Sequence, residues 1–447
     1  MNTLTKRKKL SPAQYIAVGF LLIILVGTLI LCLPISSKTG QWTDLLTALF
    51  TATSATCVTG LVVVDTFSHW NVLGQLVILT LIQIGGLGFI SLGVFFTTFT
   101  KKNISLRERG LVQESMNAIQ IGGVVKLVKK TIFGTFLFEG IGALLLMLRF
   151  IPKMGWRGIY YGIFHSISAF CNAGFDLMGE SEPYISLVEY ADDWLVNITV
   201  VLLVVIGGLG FMVWQDLLEH KLHFKKYLLH TKIVVVATLS LLFGGAVLFL
   251  IFERNNLFAG IPLQHALLRS LFASMTPRTA GFNTIDVGAM TPASKLLTIV
   301  LMFIGGSPGS TAGGAKTTTV VVMFVAMLSY FRNNTGNNIF GRRLEDETVK
   351  KATSVVTFNM TLALLACILI CGVQNLELSD VMIEVFSAIN TVGMSAGITR
   401  ELVPFSRVII IILMYCGRIG SLTFAFLFVQ RKAVAPVQQP VEKILIG

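Results

Sequence analysis

Gly60, Gly174, Gly281 and Gly393 each follow a short apolar stretch, and they stand 114, 107 and 112 residues apart. They close the triplets Val58-Thr59-Gly60, Asn172-Ala173-Gly174, Thr279-Ala280-Gly281 and Thr391-Val392-Gly393. What such triplets offer is backbone. To strip water from an ion, a loop must point several successive carbonyls at one axis, and this needs backbone angles that residues with a Cβ adopt poorly. A second landmark follows each glycine after 24 to 33 residues: Gly85-Gly86-Leu87-Gly88, Gly207-Gly208-Leu209-Gly210, Gly305-Gly306-Ser307-Pro308-Gly309 and Gly417-Arg418-Ile419-Gly420. Two landmarks recurring four times in one order mark an internal repeat.

The elements that position these turns are written in hydropathy. With 54% hydrophobic and 13% charged residues and a mean hydropathy of +0.78, the chain has too little polar surface for a soluble 447-residue globule and the balance of a polytopic membrane protein. Long apolar runs predict eight spans: Tyr15–Leu33, Val72–Phe99, Thr131–Leu148, Trp194–Trp214, Ile233–Phe252, Leu296–Phe331, Ala352–Gly372 and Val408–Val429. The first follows the basic run Lys6–Lys9 and reads as a retained span rather than a cleaved leader. Between the members of each pair lies a run too short to cross: Trp42–Thr56, Gly158–Phe170, Leu263–Thr276 and Leu378–Ile389. A segment that enters and cannot cross must turn back, and non-helical backbone at that depth lines water or is buried in protein. The six cysteines show neither pairing nor metal-ligand spacing.

Charge sets the orientation. Of the 35 Lys and Arg, 23 fall in five segments on one side of such a topology, with eight acidic residues; the other side has ten basic and fourteen acidic residues. The excess marks the cytoplasm, so both termini are expected inside and the short segments enter from outside. Nucleic-acid binding would need a basic patch on a soluble domain, which no segment is long enough to form. The short helices would direct their carboxyl ends at the membrane centre, where the partial negative charge favours a cation. Four units of span, short helix, extended loop and span would close a ring.

The motifs Ala55-Thr56-Cys57-Val58-Thr59-Gly60-Leu61, Ser168-Ala169-Phe170-Cys171-Asn172-Ala173-Gly174-Phe175, Thr276-Pro277-Arg278-Thr279-Ala280-Gly281-Phe282-Asn283 and Asn390-Thr391-Val392-Gly393 resemble those of the Trk/Ktr/HKT potassium transporters, most closely the membrane subunit of the bacterial Ktr type. The resemblance covers the whole chain. It implies potassium uptake through a filter with one glycine per repeat, in which Val58, Thr59, Gly60, Asn172, Ala173, Gly174, Thr279, Ala280, Gly281, Thr391, Val392 and Gly393 hold the ion mainly through carbonyls. Plant relatives that carry sodium have a serine where this chain has Gly60, which implies potassium here. It also implies a homodimer in the plasma membrane, docked on a cytosolic ring of nucleotide-binding regulatory subunits of the RCK/KTN type. Potassium is the cargo, sodium activation stays open, and this chain is expected to bind no nucleotide.

The third repeat departs from the others. Leu296–Phe331 would be roughly 54 Å as one helix, too long to cross once, so it must be interrupted within 305–319, where Gly305, Gly306, Gly309, Gly313 and Gly314 precede Lys316. A phosphate-binding loop fails on spacing, because Ala315 separates Gly314 from Lys316. By resemblance this is the intramembrane gating loop. Arg418 takes the slot held by Gly86, Gly208 and Gly306 in the other repeats. It reads either as a structural arginine satisfying carbonyls of broken helices or as a fixed positive charge bonded to the loop, and both can hold. Arg278 is expected to brace the third triplet from behind, with Glu384 as a partner. Whether the Asn390 side chain faces the ion path stays open. Glu139 reads as a neutral acid bonded to a neighbouring helix, with a protonation site as the alternative.

These readings predict an all-α polytopic fold with four tandem repeats in pseudo-fourfold arrangement: 15–100, 131–216, 233–331 and 352–430. Cytoplasmic segments occupy 1–14, 101–130, 217–232, 332–351 and 431–447. A proton- or sodium-coupled secondary carrier is the second reading, disfavoured by the single broken span and single intramembrane acid. A membrane-embedded enzyme has no supporting motif: the six histidines are dispersed, and His220 and His223 read as solvated.

Overall fold

The computed structural model describes residues 11–99, 106–115, 122–221, 223–333, 336–420 and 423–425, with 440 and 442. The basic run Lys6–Lys9, half of the 100–121 connection and the end of the last expected span lie outside these residues.

Among the described residues, four helices are long and apolar enough to cross a bilayer: Pro12–Cys32, Val124–Met154, Leu229–Phe252 and Asp346–Val373. The first shows how such a helix is specified. Ser11 and Gln14 form a reciprocal capping box, and Pro12 fills the first helical position, where a missing N–H costs nothing. Its inner side buries Ile16, Phe20, Ile24 and Leu31, while Leu22, Val26 and Leu29 are exposed. Large aliphatic side chains left outward on all four helices suit a hydrocarbon surrounding, and the chain is a helical polytopic membrane protein.

Each long helix packs against the short helix that follows it: Leu45–Thr56, Arg157–Phe170, Leu263–Met275 and Leu378–Ile389. At about 1.5 Å per residue these reach roughly 20 Å, short of the ~30 Å hydrocarbon core. Small residues permit the close crossing. A Cβ at Gly158 would stand 2.5 Å from the Phe150 carbonyl carbon, and one at Gly142 would stand 2.6 Å from the Ser166 hydroxyl.

The second helices differ from the sequence expectation. Val72–Phe99 and Trp194–Trp214 are not single rods: Val72–Leu87 meets Phe89–Phe95 at 88°, and Trp194–Leu209 meets Phe211–His220 at 97°. The hinges are Gly88 (φ 79°) and Gly210 (φ 100°), the last glycine of each second landmark. Pro404–Ile419 stops at the equivalent Gly420 (φ 90°). In the third repeat Pro292–Ile304 and Thr317–Phe331 flank a non-helical 305–316, so 317–319 belong to the second helix and not to the loop. Counting each bent pair as one, six spans qualify by length and composition. Discontinuity is therefore not confined to one repeat.

The fold is also not wholly helical. Asn338–Ile339 pairs antiparallel with Arg342–Arg343 across a turn in which Phe340 (φ 50°) and Gly341 (φ 73°) both take the left-handed region, as a two-residue hairpin of this hand requires. The Phe340 ring lies 6.0 Å from that of Phe224.

Candidate ion-conducting site

The four glycine triplets come together from across the chain. A side chain built on Gly60 would strike the Ala173 carbonyl of the second repeat, and one on Gly174 would stand 2.8 Å from the Gly281 Cα. One on Gly281 would stand 3.3 Å from the Gly393 Cα, and one on Gly393 would strike the Thr59 carbonyl and stand 2.9 Å from the Gly60 Cα. The contacts run 60, 174, 281, 393 and back to 60, a closed ring with no space for a Cβ inside it.

Within each triplet the backbone alternates. Val58, Asn172, Thr279 and Thr391 have φ of 57°, 59°, 69° and 50°, and the glycines two residues on have 96°, 69°, 80° and 93°. The residue between them is not left-handed. Alternating hands turn successive carbonyls to one side of the strand, the geometry that ion dehydration needs. Three of the short helices end two residues before their triplets and the third-repeat helix four before, so their carboxyl ends converge on the ring and add partial negative charge there.

Hydroxyl side chains anchor the turns, a set that the sequence reading did not single out. The Gly60 N–H donates to Ser54 Oγ (3.1 Å) and the Gly393 N–H to Ser387 Oγ (3.0 Å); Ser168 Oγ donates to the Phe175 carbonyl (2.7 Å) and Thr276 Oγ1 to that of Phe282. The signal was available: a serine stands six residues before three of the four glycines. The second landmarks are explained by contact. A Cβ at Gly85, Gly207 or Gly417 would collide with the terminal carbonyl of the adjacent short helix, at Thr56, Phe170 or Ile389.

All four glycines line one cavity of about 530 Å³, which also receives Asp65, Asp176 and Asp286. A second cavity of about 370 Å³ is lined by Gly86, Gly309, Gly314, Lys316 and Arg418. The ring lines the first cavity and the 305–316 loop the second. The loop is held by the second and fourth repeats. Ser307 N–H donates to the Gly208 carbonyl (3.1 Å), Gly314 N–H to that of Gly417 (3.2 Å), and the Gly309 carbonyl accepts from Phe211 N–H (2.8 Å). Thr317 N–H returns to the Gly306 carbonyl (2.9 Å). Lys316 Nζ closes the loop on itself through the carbonyls of Ala312 (2.7 Å) and Gly313 (3.1 Å).

Arg418 bonds to both a broken helix and the loop. Its guanidinium donates to the Thr311 carbonyl of the loop and to the carbonyls of Gly85 and Gly86 (3.3 Å to the latter), which end the helix before the Gly88 hinge. Asn390 does not aim its amide at the glycine ring: its Oδ1 accepts from Ala315 N–H (3.1 Å) and its Nδ2 donates to the Phe386 carbonyl (3.1 Å).

Arg278 and Glu384 do not pair. Arg278 turns outward to the Thr238 carbonyl and hydroxyl (3.4 and 3.3 Å), bracing its triplet against the Leu229–Phe252 helix. Glu384 instead accepts from Ser395 Oγ and from Thr399 Oγ1 (2.8 Å), tethering the chain beyond Gly393. Short oxygen ligands nearby outcompeted a partner on another repeat. Glu139 is buried and accepts from Gln83 Nε2 (3.2 Å) on the second helix of the first repeat, a bond to a neighbouring helix. His220 is not simply solvated, since its Nδ1 lies 2.9 Å from the buried Asp216 carboxylate; His223 is exposed. Outside the spans, Arg269 grips Asp192 through two bonds (2.9 and 2.7 Å) and holds that carboxyl below its usual range.

Comparison with known proteins agrees with this geometry. The TrkH family model, described as a cation transport protein, matches residues 14–435. The chain is 41% identical to the potassium/sodium uptake protein NtpJ of Enterococcus hirae, over 99% of this chain and 98% of that one. It is 40% identical to Ktr system potassium uptake protein B of Bacillus subtilis, over 94% and 93%. The crystal structure of the potassium transporter TrkH from Vibrio parahaemolyticus superposes with a TM-score of 0.75 at 16% identity, covering 95% of this chain and 86% of that one, a likeness of fold.

Proposed function

The chain belongs to the TrkH cation transport family as a membrane subunit of the Trk/Ktr kind, and on that premise we propose that it takes up potassium through the ring of four triplets. The carrying observation is the closed contact circuit of Gly60, Gly174, Gly281 and Gly393, with alternating backbone hand in every triplet. The ion sites are the carbonyls of residues 58–60, 172–174, 279–281 and 391–393. Four repeats of span, re-entrant helix and bent span surround them, in the boundaries read from the sequence, with both termini in the cytoplasm of a cell whose plasma membrane holds the protein. The charge asymmetry of the connections supports this orientation.

The 305–316 loop is the gate. It touches the bases of the triplets and lines the second cavity, so an ion can pass only when it moves. Removing Gly309–Gly314 should raise potassium flux in proteoliposomes several-fold, because a shorter plug costs less to displace. Flux no faster than the parent's would assign the block elsewhere. The Ktr system names of several relatives support partnership with other components of such a system; in this proposal the partner is a cytosolic nucleotide-binding ring docked on a homodimer.

A coupled carrier is the second reading. The hinges at Gly88 and Gly210 favour it more than the sequence did, because carriers use discontinuous helices at corresponding positions. Potassium flux in liposomes without any proton or sodium gradient supports the channel-like reading; flux that needs such a gradient supports the carrier. The same assay with sodium in place of potassium tests the second cation in the name of the Enterococcus relative.

A further inference from the structure

The gate and the filter are not merely adjacent; they share hydrogen bonds. Asn390 immediately precedes the fourth triplet, and its buried Oδ1 is the acceptor for the N–H of Ala315 in the loop (3.1 Å). The bond from its Nδ2 to the Phe386 carbonyl fixes which end of the amide faces the loop. Packing there is tight: a Cβ on Gly314 would stand 2.6 Å from the Asn390 Cα, and one on Gly313 would stand 3.0 Å from the Thr391 Cβ. Across the ring, the Thr311 hydroxyl donates to the Phe170 carbonyl (3.3 Å) and lies 3.3 Å from the Asn172 amide. That amide faces the carbonyls of Phe170 and Val204 with its nitrogen and accepts from Thr279 Oγ1 (3.1 Å) with its oxygen. The loop is thus fastened to two opposite triplets, the second and the fourth.

We infer that Asn390 is a positioning residue through which the loop and the fourth triplet set one another's conformation, with Thr311 acting in the same way on the second. This rests on reading the triplets as the filter and the loop as the gate. When the loop leaves, the buried Asn390 oxygen loses its donor, and a buried acceptor must find a new partner. The triplet therefore takes a different conformation with the loop in place than with the loop away. Linkage makes the effect reciprocal: potassium in the filter favours one loop position, and the loop position changes potassium affinity.

The test is a double-mutant cycle on potassium affinity, read by calorimetry on the purified full chain. Asn390→Ala should change the dissociation constant about fivefold in the parent and less than about 1.5-fold once Gly309–Gly314 has been removed. Equal factors in both backgrounds overturn the proposal, since a merely structural asparagine would act alike with or without the loop. Thr311→Val provides an arm outside the filter, usable should Asn390→Ala misfold: it should shift potassium affinity severalfold, and an unchanged affinity counts against the coupling. Liposome flux of the shortened protein reports separately on the gate. Unchanged flux with non-additive affinities would remove the gating role and leave the coupling standing.

Discussion

Val58, Thr279 and Thr391 are β-branched and yet hold positive φ, a placement that costs about 1–2 kcal/mol for each residue with a Cβ. Such strain persists only where the surroundings over-determine it, and here the hydroxyl anchors and the ring contacts do so. Gly60 shows what the ring cannot accept. At φ 96°, with the Ala173 carbonyl where a Cβ would go, Gly60→Ser must displace one strand and adds an oxygen near the ion. The expected outcome is a loss of roughly tenfold in potassium over sodium discrimination, measured as relative uptake in a transport-deficient cell. An unchanged ratio with normal expression would remove Gly60 from the filter.

At the scale of elements, the second helices of the first, second and fourth repeats pass directly beside the carboxyl end of a short helix. Gly417→Ala should push the Leu378–Ile389 helix from its seat and destabilise the protein by about 1–3 kcal/mol, the usual cost of overpacking. Thermal unfolding in detergent checks this, and an unshifted midpoint would show that the helices have room. The Leu263–Met275 helix is tied to the loop ahead of Trp194 by Arg269 and Asp192. Because Arg269 lowers the folded pKa of Asp192, the stabilisation is present above the unfolded carboxyl pKa of about 4 and fades as pH falls through the lower folded value. The parent should therefore lose thermal stability between about pH 5 and pH 3 more steeply than Asp192→Asn. The effect is small because the carboxylate is half exposed, and parallel acid slopes would deny the pair any role.

For the whole molecule, the asymmetry of charge and the hairpin point to one docking face. The hairpin carries Arg342 and Arg343 outward, while Phe340 seats it on Phe224, just ahead of the Leu229–Phe252 helix. Reversal of both arginines to glutamate should weaken binding of the proposed regulatory ring at least severalfold and leave potassium over sodium selectivity unchanged, since the hairpin lies outside the ring of triplets. A pull-down with normal association would take the hairpin off the docking surface.

The short helices, the interruption in the third repeat and the glycines that need a particular backbone angle were legible in the sequence, because each depends on local properties: hydropathy, run length and residue type. Arg418 stood out for the same reason, as a charge in a glycine slot. Only the tertiary structure decided what these residues touch. Gly88 stood out as the last glycine of a recurring landmark, yet Val72–Phe99 read as one unbroken span, since a bend in a span depends on what the far half packs against. Glu384 found Ser395 and Thr399 of its own repeat instead of Arg278, because the chain beyond Gly393 folds back over it, and Asn390 found Ala315 because segments of two repeats approach there; sequence spacing records neither. The ring itself is of this kind: four glycines more than a hundred residues apart become neighbours only once the helices around them have packed.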